Sequence, residues 1–252
     1  MTILGKKQMS EEDIKLNYIT PVILNGWKGH ITMETKITDG RINISGNIVA
    51  RSKPKFADYM LYLNDGKPIA VVEAKDNNHS VSHGLQQATY AQMMDIPFAY
   101  SSNGDAFYEH DFFTGQERQI ALEQFPTQDE LVARYYAELN GGKGVSDLEK
   151  KIVSQPYYSS QSTYPPRYYQ RNAVNRTVEA IARGQQRLLL VMATGTGKTY
   201  TAFQIVYRLL RSDLKKRILY LADRNILVDQ SIAQDFAPLE KTIYKVDFSD
   251  KE

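Results

Sequence analysis

The sequence predicts an α/β protein in two parts, a mixed sheet flanked by helices and then part of a parallel α/β unit. Between residues 31 and 120, several short segments are either apolar or alternate between polar and apolar residues, and turn residues separate them. This pattern is typical of strands. After residue 186, an apolar segment, a glycine-rich turn and an amphipathic segment follow one another, which is the order of a βαβ unit. These two patterns differ enough to indicate two domains.

The first domain is expected to open with a helix. Ser10 is a good N-cap, and Asp13 stands at the third helical position, where it can complete a capping box. The apolar stripe of this helix continues to about Leu24, and Pro21 ends or kinks the helix earlier. A second helix is expected over residues 81–94. Strands are expected over residues 31–37, 41–49, 56–63, 69–74, 97–101, 106–109 and 117–120.

The second domain is expected to be a parallel α/β unit. Its near-continuous apolar segments are typical of buried parallel strands. Connecting such strands through helices predicts a right-handed crossover. The strands are expected over residues 187–192 and 217–222, and the helices over residues 168–183, 199–212 and 227–236.

Charge and turn composition place the boundary. Residues 1–155 carry 16 Lys and Arg against 20 Asp and Glu, whereas residues 156–252 carry 15 against 9. A net positive second half suits phosphate ligands. The segment between the halves is rich in Pro, Ser and Tyr and has no apolar period. We therefore expect domains over residues 1–155 and 167–252, joined by a linker over residues 156–166.

Composition excludes several classes of protein. The chain has 252 residues and no cysteine, so disulfide frameworks, thiolate zinc sites and cysteine nucleophiles are excluded. The longest apolar run, residues 188–193, is too short to span a bilayer. The first residues lack the apolar segment of a signal peptide. We expect a cytoplasmic protein with no membrane partner.

A hairpin over residues 56–75 is expected to bring three charged side chains together. The Asp-Gly pair at residues 65–66 is favoured in two-residue hairpin loops. This loop places Asp58 directly opposite Glu73. Lys75 is two residues beyond Glu73 on the same strand, and it therefore shares the same face.

Two facing carboxylates and an ammonium suggest metal-dependent phosphodiester chemistry. Facing carboxylates repel unless a cation lies between them, and hard oxygen ligands suit Mg²⁺ or Mn²⁺. Such a metal polarises a phosphodiester and lowers the pKa of a bound water. Lys75 would position or deprotonate that water, or stabilise the charge that develops. The alternative is a solvated sheet face with one ordinary Asp–Lys pair.

Gln86 and Tyr90 are spaced to lie on one face of the helix predicted over residues 81–94. A glutamine and a tyrosine just after the strand that carries Glu73 could orient a phosphate or Lys75. The alternative for Tyr90 is simple helix packing.

These residues resemble the PD-(D/E)xK nuclease core of the RecB-like branch. The match consists of Asp58, Glu73-Ala74-Lys75 and Gln86-x-x-x-Tyr90, with Ala57 in place of the proline of the motif. With its flanking residues, the segment 10–155 looks like the N-terminal domain of the type I restriction enzyme R subunit (HsdR).

This resemblance implies a restriction-endonuclease-like fold and specific roles for the residues. Asp58, Glu73 and Lys75 would be catalytic, with Gln86 and Tyr90 supporting them. Mg²⁺ would be held by Asp58 and Glu73. Members of the family also carry a glutamate on the first helix, which matches Glu11 or Glu12, so Glu11 is a possible additional metal ligand.

A phosphate-binding loop is predicted between the strand over residues 187–192 and the next helix. Its backbone N–H groups and the helix N-terminus can approach phosphate oxygens. Lys198 would reach the β- and γ-phosphates of ATP, and Thr199 would coordinate Mg²⁺. The pattern resembles the A-x-x-G-x-G-K-T loop of superfamily 2 helicases and translocases, which have a RecA-like fold. The predicted nucleotide-binding residues here are Thr194, Gly195, Thr196, Gly197, Lys198 and Thr199.

Two flanking segments resemble the same superfamily. Gln170, in a segment similar to the Q-motif, would read adenine, although Tyr168 beside it could equally pack in a core or linker. Residues 220–230 resemble motif Ia, which contacts the DNA backbone. No Asp-Glu pair of the Walker B kind follows the loop. We therefore expect a fragment of a larger translocase that does not hydrolyse ATP productively by itself.

The order of nuclease and then translocase is that of the R subunit. The resemblance implies cleavage of double-stranded DNA with Mg²⁺, translocation with ATP, and partnership with methyltransferase (M) and specificity (S) subunits. Another nuclease–helicase fusion in phage defence or repair would share both modules. A non-catalytic docking module would instead use the hairpin face to bind a partner protein.

Overall fold

The computed structural model divides the chain into two compact units. The first comprises Met1–Asp147 with Arg167–Asn172, and the second comprises Leu148–Pro166 with Ala173–Glu252. The domain boundaries expected from sequence stay a prediction. The described residues are 5–38, 42–45, 48–51, 53–64, 67–86, 88, 90–161 and 165–246.

The first unit is built on a mixed sheet. Its described strands are β1 (Ile31–Thr38), β2 (Ile42–Ser45), β3 (Ile48–Arg51), β4 (Lys55–Asn64), β5 (Lys67–Ala74), β6 (Phe98–Ser102), β7 (Ala106–Asp111) and β8 (Glu117–Ala121). Six of them form one sheet in the order β1-β4-β5-β6-β7-β8, in which β5 and β6 are parallel and the other pairs antiparallel. β2 and β3 form a separate two-stranded antiparallel sheet where the sequence predicted a single strand over residues 41–49. The predicted fold class is confirmed.

The hairpin of β4 and β5 has the predicted register beside the charged residues. Tyr59 pairs with Val72. Continuing this register by one residue places Asp58 opposite Glu73, as expected from the sequence. The predicted turn residues 65–66 lie outside the described part of the chain.

The first helix is continuous but contains one wider turn. It consists of α1 (Glu11–Ile14), a π-helical turn (Lys15–Ile19) and α2 (Thr20–Gly26). Ser10 and Asp13 form the predicted capping box. Of the two predicted effects of Pro21, ending the helix early was wrong, and kinking it stays a prediction. Pro21 lies in the first turn of α2, where its missing N–H and fixed φ are tolerated.

The helix predicted over residues 81–94 is divided. A 3₁₀ turn covers His83–Gln86 and a short helix, α3, covers Tyr90–Met93. The N–H of Gly84 donates to Ser101 Oγ on β6 at 2.8 Å. This bond fixes the backbone against the sheet, and we attribute the interruption of the helix to it.

Helix α4 (Gln128–Gly142) completes the first unit, and its N-terminus is fixed by a capping box between Thr127 and Glu130. Because strand side chains alternate between faces, apolar residues form two clusters. The first includes Ile14, Trp27, Tyr59, Val72, Tyr100, Phe107 and Leu131. The second includes Met60, Val71, Tyr90, Ala91 and Ala99. By this alternation Asp58, Glu73 and Lys75 share the face of the second cluster.

The remaining helices are α5 (Asp147–Val153), α6 (Tyr168–Ala182), α7 (Lys198–Arg211) and α8 (Asn225–Ala233). Within the second unit, Arg208 on α7 is buried and donates to the carbonyl oxygens of Ile152 and Val153 on α5 and to Asn175 Oδ1 on α6. These bonds tie the three helices together.

The prediction of strands over residues 187–192 and 217–222 was wrong. Neither segment is a strand among the described residues, and Leu189 and Val191 are each 87% exposed. An extended apolar segment becomes a strand only when a neighbour pairs with its backbone. No helix in the described part of the chain combines the length and apolar character needed to cross a membrane.

Candidate functional site

Three carboxylates lie in a row across β1, β4 and β5. Thr35 pairs with Ala57, so that Glu34 lies opposite Asp58. The register of β4 and β5 then places Asp58 opposite Glu73. Like charges opposite one another destabilise a sheet, so the row requires neutralising groups.

Asp58, in the middle of the row, is held by two donors. Its Oδ1 lies 2.8 Å from Lys15 Nζ, and its Oδ2 accepts from the N–H of Ala74 at 2.7 Å. The Lys15 ammonium also contacts Glu12 Oε1 at 2.7 Å and Glu34 Oε1 at 2.9 Å. Burial by itself would lower the pKa of Lys15, but the hydrogen bonds to these three carboxylates raise it. Lys15 therefore carries a permanent positive charge.

Glu73 is the most buried acid of the row, with 4% of its surface exposed. Burial raises the pKa of Glu73 to about 7, and repulsion from Asp58 adds to this effect. The Tyr90 hydroxyl donates a hydrogen bond to Glu73 Oε1 and acts in the opposite direction. Burial and the adjacent carboxylate raise the pKa of Tyr90, so it remains a neutral donor.

Lys75 lies just beyond β5 and contacts the first helix. Its Nζ donates to the carbonyl oxygen of Ala74 at 2.6 Å and lies 3.4 Å from Glu11 Oε2. Of the two candidate acids on the first helix, Glu11 therefore pairs with Lys75, and Glu12 pairs with Lys15.

The structure thus brings Asp58, Glu73, Lys75, Tyr90 and Glu11 to one region. Gln86 ends the 3₁₀ turn, but its side chain lies outside the described part of the structure. Because that turn and α3 are separate, spacing on one helix does not relate Gln86 to Tyr90. No group of three or more acidic or histidine side chains among the described residues is placed to hold a metal ion. The metal roles of Asp58, Glu73 and Glu11 stay predictions.

Sequence reasoning missed Lys15 and Glu34. Lys15 follows the buried Ile14, and its side chain is 4% exposed. A lysine with so little exposure requires partners, but the wider helical turn that begins at Lys15 has no pattern in the sequence. Glu34 adopts φ 47° and so lies in the left-handed region, which a strand pattern does not predict.

The predicted phosphate-binding loop lies in the second unit, directly before α7. Gly195 and Gly197 adopt φ 76° and 79°, a conformation that favours glycine. Lys198 Nζ donates to the carbonyl oxygens of Met192 at 3.4 Å and Ala193 at 3.2 Å. Thr196 Oγ1 also donates to Ala193 O at 2.6 Å, which closes the turn that begins at Thr194. Thr199 follows Lys198 in the first turn of α7.

Gln170 lies on α6 within the first unit. Its Oε1 accepts from the N–H of Arg167 at 2.9 Å, and the residue is buried. This contact caps the start of the helix. Tyr168 packs against the second apolar cluster of the same unit, which agrees with the packing alternative for that residue.

Both units match known families of restriction enzymes. Residues 29–126 match the family described as type I restriction enzyme R protein N terminus, and residues 163–251 match the type III restriction enzyme res subunit. The chain is 44% identical over 254 aligned residues to the EcoAI type I restriction enzyme endonuclease subunit of Escherichia coli, covering 98% of this chain and 31% of that protein. It is 32% identical to the EcoKI endonuclease subunit of Escherichia coli K12, covering 70% of this chain and 18% of that protein.

A solved structure has the same fold. It is a fragment assigned as the HsdR subunit of a type I restriction enzyme from Vibrio vulnificus YJ016. It aligns with a TM-score of 0.70 and 40% identity over 81% of this chain and 38% of that one. The chain thus spans about a third or less of the length of the two endonuclease subunits that it matches.

Proposed function

The chain belongs to the family of type I restriction enzyme R subunits, and on that premise we propose that it carries the site at which such an enzyme cuts double-stranded DNA. The observation that supports this most strongly is the meeting of Asp58 and Glu73 across β4 and β5, with Lys75 beside them. The nuclease domain would extend over residues 1–155, followed by a linker over residues 156–166 and the start of a translocase lobe.

The charges at this site fit a bound Mg²⁺ ion. Among the described residues of this site, five acids lie around two lysines, Lys15 and Lys75; the acids are Glu11, Glu12, Glu34, Asp58 and Glu73. Lys15 forms ion pairs with both Glu34 and Asp58. Burial and repulsion from Asp58 raise the pKa of Glu73 to about 7, against a smaller opposing effect of the Lys75 charge. Asp58 and Glu73 would hold the metal through hard oxygen ligands. When bound, Mg²⁺ supplies charge neutralisation at the phosphate and a more acidic water.

The other groups of the site would position the two carboxylates and the attacking water. Ala74 N–H and Lys15 hold the two oxygens of Asp58, and Tyr90 holds Glu73. The Lys75 ammonium would orient the attacking water or stabilise the negative charge that develops on the phosphate. Gln86 is assigned a supporting role on the resemblance alone.

The second unit would bind ATP with Mg²⁺ through residues 194–199. Gln170, which lies in the first unit, is assigned to adenine on the resemblance alone. Double-stranded DNA, together with the methyltransferase (M) and specificity (S) subunits, would be the partners in the cytoplasm. The loop supports this proposal because its left-handed glycines precede a helix N-terminus, where phosphates bind.

Calorimetric titration with Mn²⁺ tests the nuclease proposal. We expect the chain to bind Mn²⁺ saturably and Glu73→Ala to abolish this binding. Glu123→Ala, which removes an acid from a 3₁₀ turn elsewhere in the unit, serves as the matched control and should bind as the parent does. Binding that Glu73→Ala leaves unchanged would overturn the proposed site and favour a docking module on the hairpin face.

A further inference from the structure

Lys15 is a buried ammonium surrounded by carboxylates. Its Nζ lies 2.7 Å from Glu12, 2.8 Å from Asp58 and 2.9 Å from Glu34, and its side chain is 4% exposed. An ammonium has three N–H donors, so these contacts satisfy all of them. Two of these partners are largely exposed, with Glu12 at 76% and Glu34 at 61%, whereas Asp58 is 12% exposed. Asp58 is therefore the partner least accessible to water.

Two irregular backbone features bring Lys15 to Asp58. The π-helical turn begins at Lys15, and wide turns of this kind occur frequently at functional sites. Glu34, opposite Asp58, adopts φ 47°, which is uncommon for a residue other than glycine. A regular helix and a regular strand would aim these side chains differently.

The position of Lys15 has a consequence for metal binding. Asp58 Oδ2 already accepts from Ala74 N–H, and Lys15 occupies Oδ1. A divalent ion that approaches Asp58 from the side of Glu73 therefore meets a carboxylate whose charge is already partly neutralised. An ammonium and a divalent ion on one carboxylate also repel each other.

We propose that Lys15 is a positioning residue that competes with the divalent metal for Asp58. It holds the Asp58 side chain in place beside Glu73 when no metal is bound. When the metal binds, the Lys15–Asp58 contact weakens, and Glu12 and Glu34 retain the ammonium. Lys15 thus raises the metal concentration that the site requires. This inference rests on the proposed metal site at Asp58 and Glu73.

Mn²⁺ titration of the 252-residue chain by calorimetry tests the proposal. Lys15→Met, which keeps the length of the side chain and removes its charge, should bind Mn²⁺ about tenfold more tightly, because a hydrogen bond between charged groups no longer has to be broken. Lys15→Gln should have the same effect and serves if Lys15→Met does not fold. Lys15→Arg, which keeps the charge, should not bind more tightly than the parent.

The titrations are repeated in 0.5 M salt with Lys28→Met as the control. Lys28 is an exposed lysine that follows the first helix. The effect of Lys28→Met on Mn²⁺ affinity should be small and should disappear in high salt, because exposed charges are screened. The effect of Lys15→Met should persist in high salt, since the Lys15–Asp58 contact is buried.

The outcomes separate this inference from the proposed function. Suppose that the parent chain binds Mn²⁺ in a manner that depends on Glu73, but Lys15→Met and Lys15→Gln do not bind it more tightly. The proposal that Lys15 competes with the metal is then wrong, and the proposed metal site stands. Weaker Mn²⁺ binding in those variants would also overturn it, because Lys15 would then be needed only to support the site. If Mn²⁺ binding does not depend on Glu73, the proposed site fails and this inference fails with it.

Discussion

Tyr90 donates a hydrogen bond to the carboxylate of Glu73, although the two residues are separated by a 3₁₀ turn and lie on different elements. Glu73 is buried on the central strand, and burial raises its pKa to about 7. Tyr90 opposes that shift and fixes one oxygen of the acid. Tyr90 therefore contacts the candidate site as well as packing in the second apolar cluster.

Replacing Tyr90 by phenylalanine should weaken metal binding without unfolding the chain. The ring can still pack, but Glu73 loses the donor that favours its charged form. We expect Mn²⁺ affinity to fall about tenfold, the loss typical of one hydrogen bond to a charged group. Calorimetry and circular dichroism check this expectation. Tyr108→Phe, which removes a hydroxyl that contacts the exposed Glu117, is the matched control. Equal affinity in Tyr90→Phe and the parent would contradict the role of Tyr90.

Gly84→Ala should destabilise the first unit. An added Cβ would lie 2.5 Å from Ser101 Oγ and 2.9 Å from Glu73 Cβ, so the 3₁₀ turn would have to move from the sheet. We expect a loss of about 1–3 kcal/mol in the free energy of unfolding, as for other overpacked sites. Urea denaturation measures this loss. Gly5→Ala, with φ −63° and no atom within 4 Å of the added Cβ, should leave stability unchanged. A Gly84→Ala variant as stable as the parent would show that the turn is not held against Glu73.

Arg134 should stabilise the sheet through Glu109 in a manner that depends on pH. Burial by itself would raise the pKa of Glu109, but hydrogen bonds from Arg134, Tyr100 and Arg118 lower it below its ordinary value. The charged carboxylate therefore adds stability above the ordinary pKa near 4.5, and this stability is lost as the pH falls through the lowered pKa.

Arg134→Met should cost about 3–5 kcal/mol at pH 7, because it leaves a buried charge without its main partner. The difference from the parent should shrink as the pH falls, because without Arg134 burial favours protonation of Glu109 in the folded variant, which removes the unpaired charge. Urea denaturation at several pH values measures it. Arg118→Met, whose side chain is 60% exposed, should cost much less. A difference between Arg134→Met and the parent that does not change with pH would contradict the account of Glu109.

Lys198 should control nucleotide binding and not metal binding at Glu73. Its ammonium closes the loop on Met192 O and Ala193 O and is available to a phosphate that displaces those carbonyls. We expect Lys198→Met to weaken binding of a fluorescent ATP analogue at least about tenfold, the loss typical of a hydrogen bond between charged groups. Lys216→Met, in the exposed segment after α7, is the control. Unchanged binding in Lys198→Met would contradict the phosphate-loop assignment.

Local rules predicted the part of the site that a single hairpin builds. The Asp-Gly pair and strand alternation suffice to place Asp58 opposite Glu73 and Lys75 on the same face. Lys15 was not predictable because its position depends on a π-helical turn and on Glu34 in a left-handed conformation. Both features depend on contacts between distant parts of the chain.

Elsewhere, tertiary contacts overrode local pattern. The sequence pattern over residues 81–94 predicts one helix. In the structure this segment forms a 3₁₀ turn and a separate short helix, and the N–H of Gly84 in the turn donates to Ser101. In the second unit the apolar segment over residues 187–192 has the pattern of a buried strand, yet it forms no strand among the described residues and most of its apolar side chains are exposed. Apolar character predicts burial only where a neighbouring strand covers the segment.

Anomalous X-ray diffraction from crystals of the chain soaked in Mn²⁺ would test the metal site most directly. The account predicts a manganese peak bonded to carboxylate oxygens of both Asp58 and Glu73, which is absent in Glu73→Ala crystals. A peak bound elsewhere in the first unit, or no peak between these two carboxylates at saturating Mn²⁺ with duplex DNA present, would contradict it.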